Sequence, residues 1–200
     1  MKLLIPYILI ASQAAFALPS DPATAPAPRN IDAVELEWQG AIDNNGTTVT
    51  LTGTAESIFK QIIVLNPNYE QERDDGLRKR DPINSASIIC NVFNPAERNA
   101  IDDGISYLYG IGNGLCRAPS GRPGAPGCAR VSCSWSAGIF LCNDQNFEAQ
   151  IPCRLVADNA RGIADVCSYH PFPQGYYCHG QIWSFNRAWN VVINRDNYNC

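Results

Sequence analysis

Charge is scarce in this chain: only 17% of its 200 residues are Asp, Glu, Lys or Arg, there are 2 histidines, and no lysine follows Lys79. With formal charge −4 and an isoelectric point near 5.1, general nucleic-acid binding through bulk positive charge is not expected. No two cysteines stand as C-x-x-C, which leaves a structural zinc without a ligand set, so no metal and no cofactor is expected. Long apolar runs are missing as well. Leu3 to Ala11 is too short, and broken by Pro6, to cross the roughly 30 Å hydrocarbon core of a bilayer. The uncharged run from Val166 to Asn186 carries prolines, histidines and glutamines, so no transmembrane anchor is expected. What is abundant is cysteine, 9 residues, within a composition that is 46% apolar and can build a packed core.

Lys2, the apolar stretch after it and the small-x-small end Ala15-Phe16-Ala17 predict a secretory signal over residues 1–17, cleaved after Ala17. Pro19, Pro22, Pro26 and Pro28 mark an extended leader. Val34 to Ile42 and Thr47 to Thr54 read as strands joined at Asp43-Asn44-Asn45-Gly46, and Glu56 to Leu65 as a helix. Asn45-Gly46-Thr47 is the one glycosylation sequon, with Asn45 on that turn. Arg78-Lys79-Arg80 follows in a charged stretch, and every cysteine lies beyond it. Lys79-Arg80 is therefore read as a late-secretory cleavage site, the plain alternative being a solvated linker. On that reading residues 18–80 are a pro-segment and residues 81–200 the mature domain, which has nine acidic and eight basic residues.

Cys90, Cys116, Cys128, Cys133, Cys142, Cys153, Cys167, Cys178 and Cys200 form a disulfide framework in an exported chain. Nine is odd, so four bridges leave either one free thiol in a monomer or one cysteine to pair two chains. Ser85 to Phe93 is apolar and β-branched enough for a strand. Asn94-Pro95-Ala96-Glu97 has the form of a capped helix start, and Ile101, Ile105 and Leu108 recur at helical spacing until the glycines at 110, 112 and 114. Those glycines follow a helix, so they end it and do not form a nucleotide loop.

Val131, Cys133 and Trp135 alternate, with a turn expected at Ala137-Gly138 and a return strand from Ile139 to Cys142; Trp135, Trp183 and Trp189 are expected in the core. A second helix runs from about Pro152 to Cys167. Its two cysteines stand about 21 Å apart along the axis, against a limit near 7 Å, so they must bond other elements. Gly180 to Phe185 and Trp189 to Ile193 form a closing hairpin. The expected fold is α+β: a disulfide-rich compact sandwich in the order β-α-ββ-α-ββ, two helices on a four- or five-stranded antiparallel sheet, preceded by a small ββα pro-domain.

This order over residues 85–200, with a closing hairpin that begins Gly180-Gln181 and a terminal Cys200, resembles small cysteine-rich secreted effectors of fungi. It is similar in architecture to the virally encoded fungal killer toxin and to the necrosis-inducing-factor domain. The resemblance implies a non-enzymatic protein acting outside the cell on a host or competitor target, and brings no catalytic motif. The killer toxin it implies is basic and uses lysine against calcium uptake; a lysine-free mature domain departs from that.

Tyr169, Phe172, Tyr176 and Tyr177 lie among Pro171, Pro173 and Gly175, and aromatics with a polar handle in an irregular segment suit a recognition surface. Arg117 and Arg122, with Arg130, form a local positive cluster for an acidic partner, or serve only to keep a Gly/Pro loop wet. His170 and His179 are the acid–base candidates for the alternative reading, a small secreted hydrolase, most plausibly a ribonuclease. Asp102 and Asp103 point about 100° apart on a helix and so do not face one substrate. Cys178 and His179 are neighbours on a strand and point to opposite faces, which argues against a nucleophilic dyad.

Overall fold

The structure is a computed structural model that describes residues 30–70, 87–171, 173, 175–196 and 200. The signal with Ala17, most of the leader, the pair Lys79 and Arg80, the start of the expected first strand and Phe172 lie outside the described residues.

β1 (Ala33–Ala41) and β2 (Thr48–Gly53) form the expected antiparallel hairpin. Its turn is closed by the Asp43 carboxylate, which accepts from the backbone of Asn45 and Thr47 and leaves Asn45 exposed. α1 (Ala55–Leu65) starts where Thr54 Oγ1 accepts from Ser57 N at 3.3 Å. Ile58 and Ile62, one turn apart, are fully buried.

Next come β3 (Ile88–Cys90), the two-residue β4 (Ala96–Glu97), α2 (Arg98–Gly110), β5 (Leu115–Ala118), β6 (Gly127–Ser134), β7 (Ala137–Asn143) and β8 (Ala149–Pro152). α3 (Cys153–Val166) is followed by β9 (Ser168–Tyr169), β10 (Tyr177–Cys178), β11 (Gly180–Trp183) and β12 (Trp189–Arg195). The main sheet has nine strands in the order β3-β11-β12-β7-β6-β1-β5-β8, with β2 on β1. Every pairing in it is antiparallel except β1 with β6. β4, β10 and β9 form a separate small sheet. α2 and α3 pack on each other and on the main sheet, and α1 packs on α2.

The α+β class, the mostly antiparallel sheet and the bridged framework are as the sequence suggests; the finer order is not. The ββα unit does not stand apart. Its β1 lies inside the sheet, paired to β6 at Ala33–Glu35 and to β5 at Glu37–Gln39, so the described residues hold three helices on one enlarged sheet. Short strands β4, β5, β8, β9 and β10 are further additions to the expected series, formed where loop backbone finds a neighbouring strand to pair with.

α2 begins at Arg98 and has no side-chain cap. Ala96–Glu97 pair with β10 instead, and Arg98 N donates to Tyr176 O at 2.9 Å, so a strand partner does the work expected of Asn94. The β6–β7 turn is made by Trp135 and Ser136, both at positive φ, 50° and 58°, the twist a two-residue hairpin needs. That geometry ejects Trp135, which is 80% exposed and not a core residue.

Four disulfides, Cys90–Cys167, Cys116–Cys153, Cys128–Cys142 and Cys133–Cys200, anchor both ends of α3, lock β6 to β7 and fasten the C-terminus. Cys178 is the free cysteine and is fully buried, so bridging two chains through it would require opening the core.

None of these bridges reaches residues 30–70. That part is held by packing. Leu36 and Trp38 are fully buried, and Trp38 Nε1 donates to Ile111 O at 2.9 Å. A Cβ at Gly114 would stand 2.3 Å from the indole, and one at Gly40 2.5 Å, so both glycines are what let the ring lie flat against backbone. Trp38→Ala is expected to cost about 3–5 kcal/mol in urea unfolding, because it empties this slot and orphans the Ile111 carbonyl.

Candidate functional site

At the C-terminal end of α3, the small sheet brings the aromatic segment over the first turn of α2. Tyr177 pairs with Tyr169 and with Glu97, and Cys178 with Ser168 and Ala96. Successive strand residues face opposite ways, so Cys178 enters the core and Tyr177 turns outward. The Tyr169 and Tyr177 rings are tilted neighbours at 6.3 Å between centroids, Tyr169 and His179 at 5.6 Å, and His170 and Tyr176 at 6.2 Å. Tyr169 is 37% and Tyr176 45% exposed, and His170 is exposed beside them. The structure thus brings together Tyr169, Tyr176 and Tyr177 of the four aromatics singled out in the sequence.

The face has a rigid base. Arg98 is buried, with its guanidinium carbon 5.8 Å from the centroid of the Tyr176 ring. Its Nε donates to Asp102 at 2.9 Å, its Nη2 to Asp165 at 2.9 Å, and its Nη1 to Ser168 Oγ at 2.7 Å and to Ala164 O. Arg161 reaches the other oxygen of Asp102 at 2.5 Å. A cation is thereby placed at the C-terminal end of α3, where the last carbonyls carry partial negative charge. Burial works against the charge on Arg98, but the carboxylates of Asp102 and Asp165 outweigh it and hold its pKa up. The sequence offered no signal for Arg98: an arginine in the first helical turn reads as surface.

The two histidines differ in setting: His170 is exposed and His179 is buried. His179 is 7% exposed and its Nδ1 is bound at Phe93 O. Burial lowers its pKa, against a smaller raising effect of that carbonyl. The Cys178 thiol is pushed up to about 12 by burial, so it stays protonated and is a poor nucleophile. Asp102 turns to Arg98 and Arg161, whereas Asp103 lines a groove of about 360 Å³ with Glu56, Ser106, Tyr107, Ser132 and Ser134. Among the described residues one trio of metal-type donors lies close together, Cys133, Asp196 and Cys200. Its two sulfurs are joined in a disulfide and its carboxylate pairs with Arg130 at 2.6 Å, which leaves no thiolate for an ion.

The three arginines of the proposed cluster are separated. Arg117 is fixed to Glu37 of β1 and lies 3.3 Å from Glu148, Arg130 is paired as just described, and Arg122 stands exposed on the turn to Ala125. The exposed aromatics Phe147, on the β7–β8 loop, and Phe185, on the β11–β12 turn, were not singled out from the sequence, and Trp135 was misplaced in the core because the two neighbouring residues at positive φ leave no periodic trace.

Among known proteins, no family model, no curated protein and no solved structure matches this chain.

The pH dependence of stability follows from His179. Its folded pKa lies below the unfolded value near 6.5, so the folded state favours the neutral ring. The unfolded chain binds the proton first as pH falls, and stability drops through and below pH ~6.5. Thermal unfolding between pH ~5.5 and ~7.5 is expected to show this decline, and His179→Gln to flatten it.

Proposed function

We propose that the protein is a secreted, cysteine-rich effector or toxin-like protein that acts outside the producing cell by binding a host or competitor target, without catalysing a reaction. The observation that carries the reading is the aromatic face: Tyr169, His170, Tyr176 and Tyr177 displayed on an arginine-anchored base. Aromatic rings with polar tips on a pre-ordered support lose little entropy on binding and are frequent energetic centres of interfaces. Four disulfides on an α+β scaffold fit an oxidising, extracellular setting. Among the described residues no helix is long and apolar enough to cross a membrane.

The kinship with killer-toxin-like and necrosis-inducing fungal effectors belongs to this proposal, as do export after Ala17, a glycan on Asn45 and processing at Lys79-Arg80. Because β1 lies inside the sheet, processing would nick the chain while residues 30–70 stay in place by strand pairing and packing. The ribonuclease alternative has weaker support, since His179 is buried and its Nδ1 is engaged at Phe93 O, whereas His170 is exposed.

Binding of the fluorescently labelled exported protein to plant and fungal protoplasts tests the reading. Tyr169→Ala with Tyr176→Ala is expected to weaken binding to the responding cell type at least about tenfold. Wild-type protein is expected to leave RNA uncleaved. Undiminished binding would remove this face as the contact surface, and RNA cleavage abolished by His170→Ala would reinstate the nuclease.

A further inference from the structure

α1, α2 and β6 meet around the groove of about 360 Å³ into which Asp103 turns. Local geometry decides what lines it. Asp103, Ser106 and Tyr107 stand at i, i+3 and i+4 on α2 and so share one face of the helix, and Ser132 and Ser134 stand at i and i+2 on β6 and so share one face of the strand. Cys133 between the two serines is taken up by its bridge to Cys200. Glu56 comes from the first turn of α1. α2 reaches β6 at Gly104, where a Cβ would stand 2.2 Å from Ser132 Oγ, so the glycine is what lets the helix lie against that hydroxyl.

The hydrogen-bonding groups of the groove are left open. Ser132 is 7% exposed, yet its hydroxyl has no hydrogen-bond partner among the described residues and belongs to the groove lining. Buried hydroxyls are nearly always partnered, so a bare one in a concavity marks a place able to receive a polar atom. The hydroxyls of Tyr107 and Ser134 and the carboxylate of Asp103 are likewise without a hydrogen-bond partner among the described residues. Lys60 holds one oxygen of Glu56 at 2.6 Å, so one of the two carboxylates is already neutralised. The Tyr107 ring is steadied by Phe59, with 6.0 Å between centroids.

This inventory favours one ligand chemistry. Carboxylates only accept hydrogen bonds and hydroxyls both accept and donate, which together match the neighbouring hydroxyls of a sugar ring. A metal ion would find a single uncompensated carboxylate among hydroxyls, too little charge to replace its hydration shell. An apolar peptide side chain would find no aliphatic residue in the lining. We propose that the groove is a carbohydrate-binding site for one neutral pyranose unit of a glycan, its hydroxyls donating to Asp103 and Glu56 and bonding with Ser132 and Ser134, its C–H face against the Tyr107 ring. The volume is at the small end of ligand sites, roughly 300–1,000 Å³, and suits a single ring. The site is separate from the aromatic face and does not depend on it: Asp102, next to Asp103, turns instead to Arg98, which supports Tyr176.

Saturation-transfer NMR with the exported protein and the methyl glycosides of glucose, galactose, mannose, xylose and N-acetylglucosamine tests this. Transfer is expected to at least one of the five, with a Kd on the order of 1 mM. Asp103→Ala is expected to weaken that binding about tenfold and Ser132→Ala about threefold, the effects of losing a charged and a neutral hydrogen bond. Retention of four disulfides and the near-ultraviolet circular dichroism spectrum confirms that each variant is folded. Asp103 is exposed, so its variant provides the readout should Ser132→Ala fail that check. Absence of transfer to all five glycosides overturns the proposal. So does binding that both groove variants leave unchanged, or binding that Tyr176→Ala abolishes, which would assign the sugar to the aromatic face.

Discussion

Trp38 in its glycine-lined slot fixes how the two parts of this chain are joined. The indole has its apolar surface buried and its one donor satisfied at Ile111, and it can lie there only because Gly40 and Gly114 carry no Cβ. It also sets the register in which β1 lies beside β6 and β5. Without β1 the sheet would lose its centre, exposing the edges of β6 and β5 and the apolar surface that covers Leu36, Ile58 and Ile62. Unpaired strand edges beside exposed apolar side chains invite aggregation. The covalent framework cannot substitute, since all four bridges lie within the later part of the chain.

The disulfides do a different job. They fasten α3 at Cys153 and Cys167 and stiffen the β6–β7 ribbon at Cys128–Cys142, so the rings over Arg98 rest on a scaffold with few ways to move. The free cysteine fits the same logic. Cys178 is the inward-facing member of the strand pair whose outward member is Tyr177, and serves as a small apolar side chain under the aromatic face. Aromatic side chains on ordered supports are a form suited to recognition.

Much of the local structure was legible. The strands expected at Val34 to Ile42 and Thr47 to Thr54, the turn at Asp43 to Gly46 and the helix expected at Glu56 to Leu65 all lie within one residue of where the pattern puts them. Helical rise alone showed that Cys153 and Cys167 bond elsewhere, whereas His179 lies between β10 and β11 and is buried like Cys178, so the expected strand alternation does not describe that pair. What was not legible is non-local. The parallel contact of β1 with β6 joins residues almost a hundred positions apart and leaves no periodic signal, so the cysteine-free unit looked separable. The start of α2 was misplaced because a strand partner, not a side-chain cap, receives its first amide. Trp135 shows the same limit: an aromatic in an alternating run reads as core until the turn beside it is known. At the candidate site the tyrosines were identified by composition, but Arg98, which supports them, owes its role to the last turn of a helix more than sixty residues away.

The most direct measurement is native mass spectrometry of the naturally exported protein, followed by the same sample in denaturant without reductant. The account predicts one native particle that contains both residues 30–70 and residues 87–200, separating into two chains in denaturant if the chain has been cut at Lys79-Arg80. A stable native particle that begins at Asp81 and lacks the N-terminal unit would contradict it.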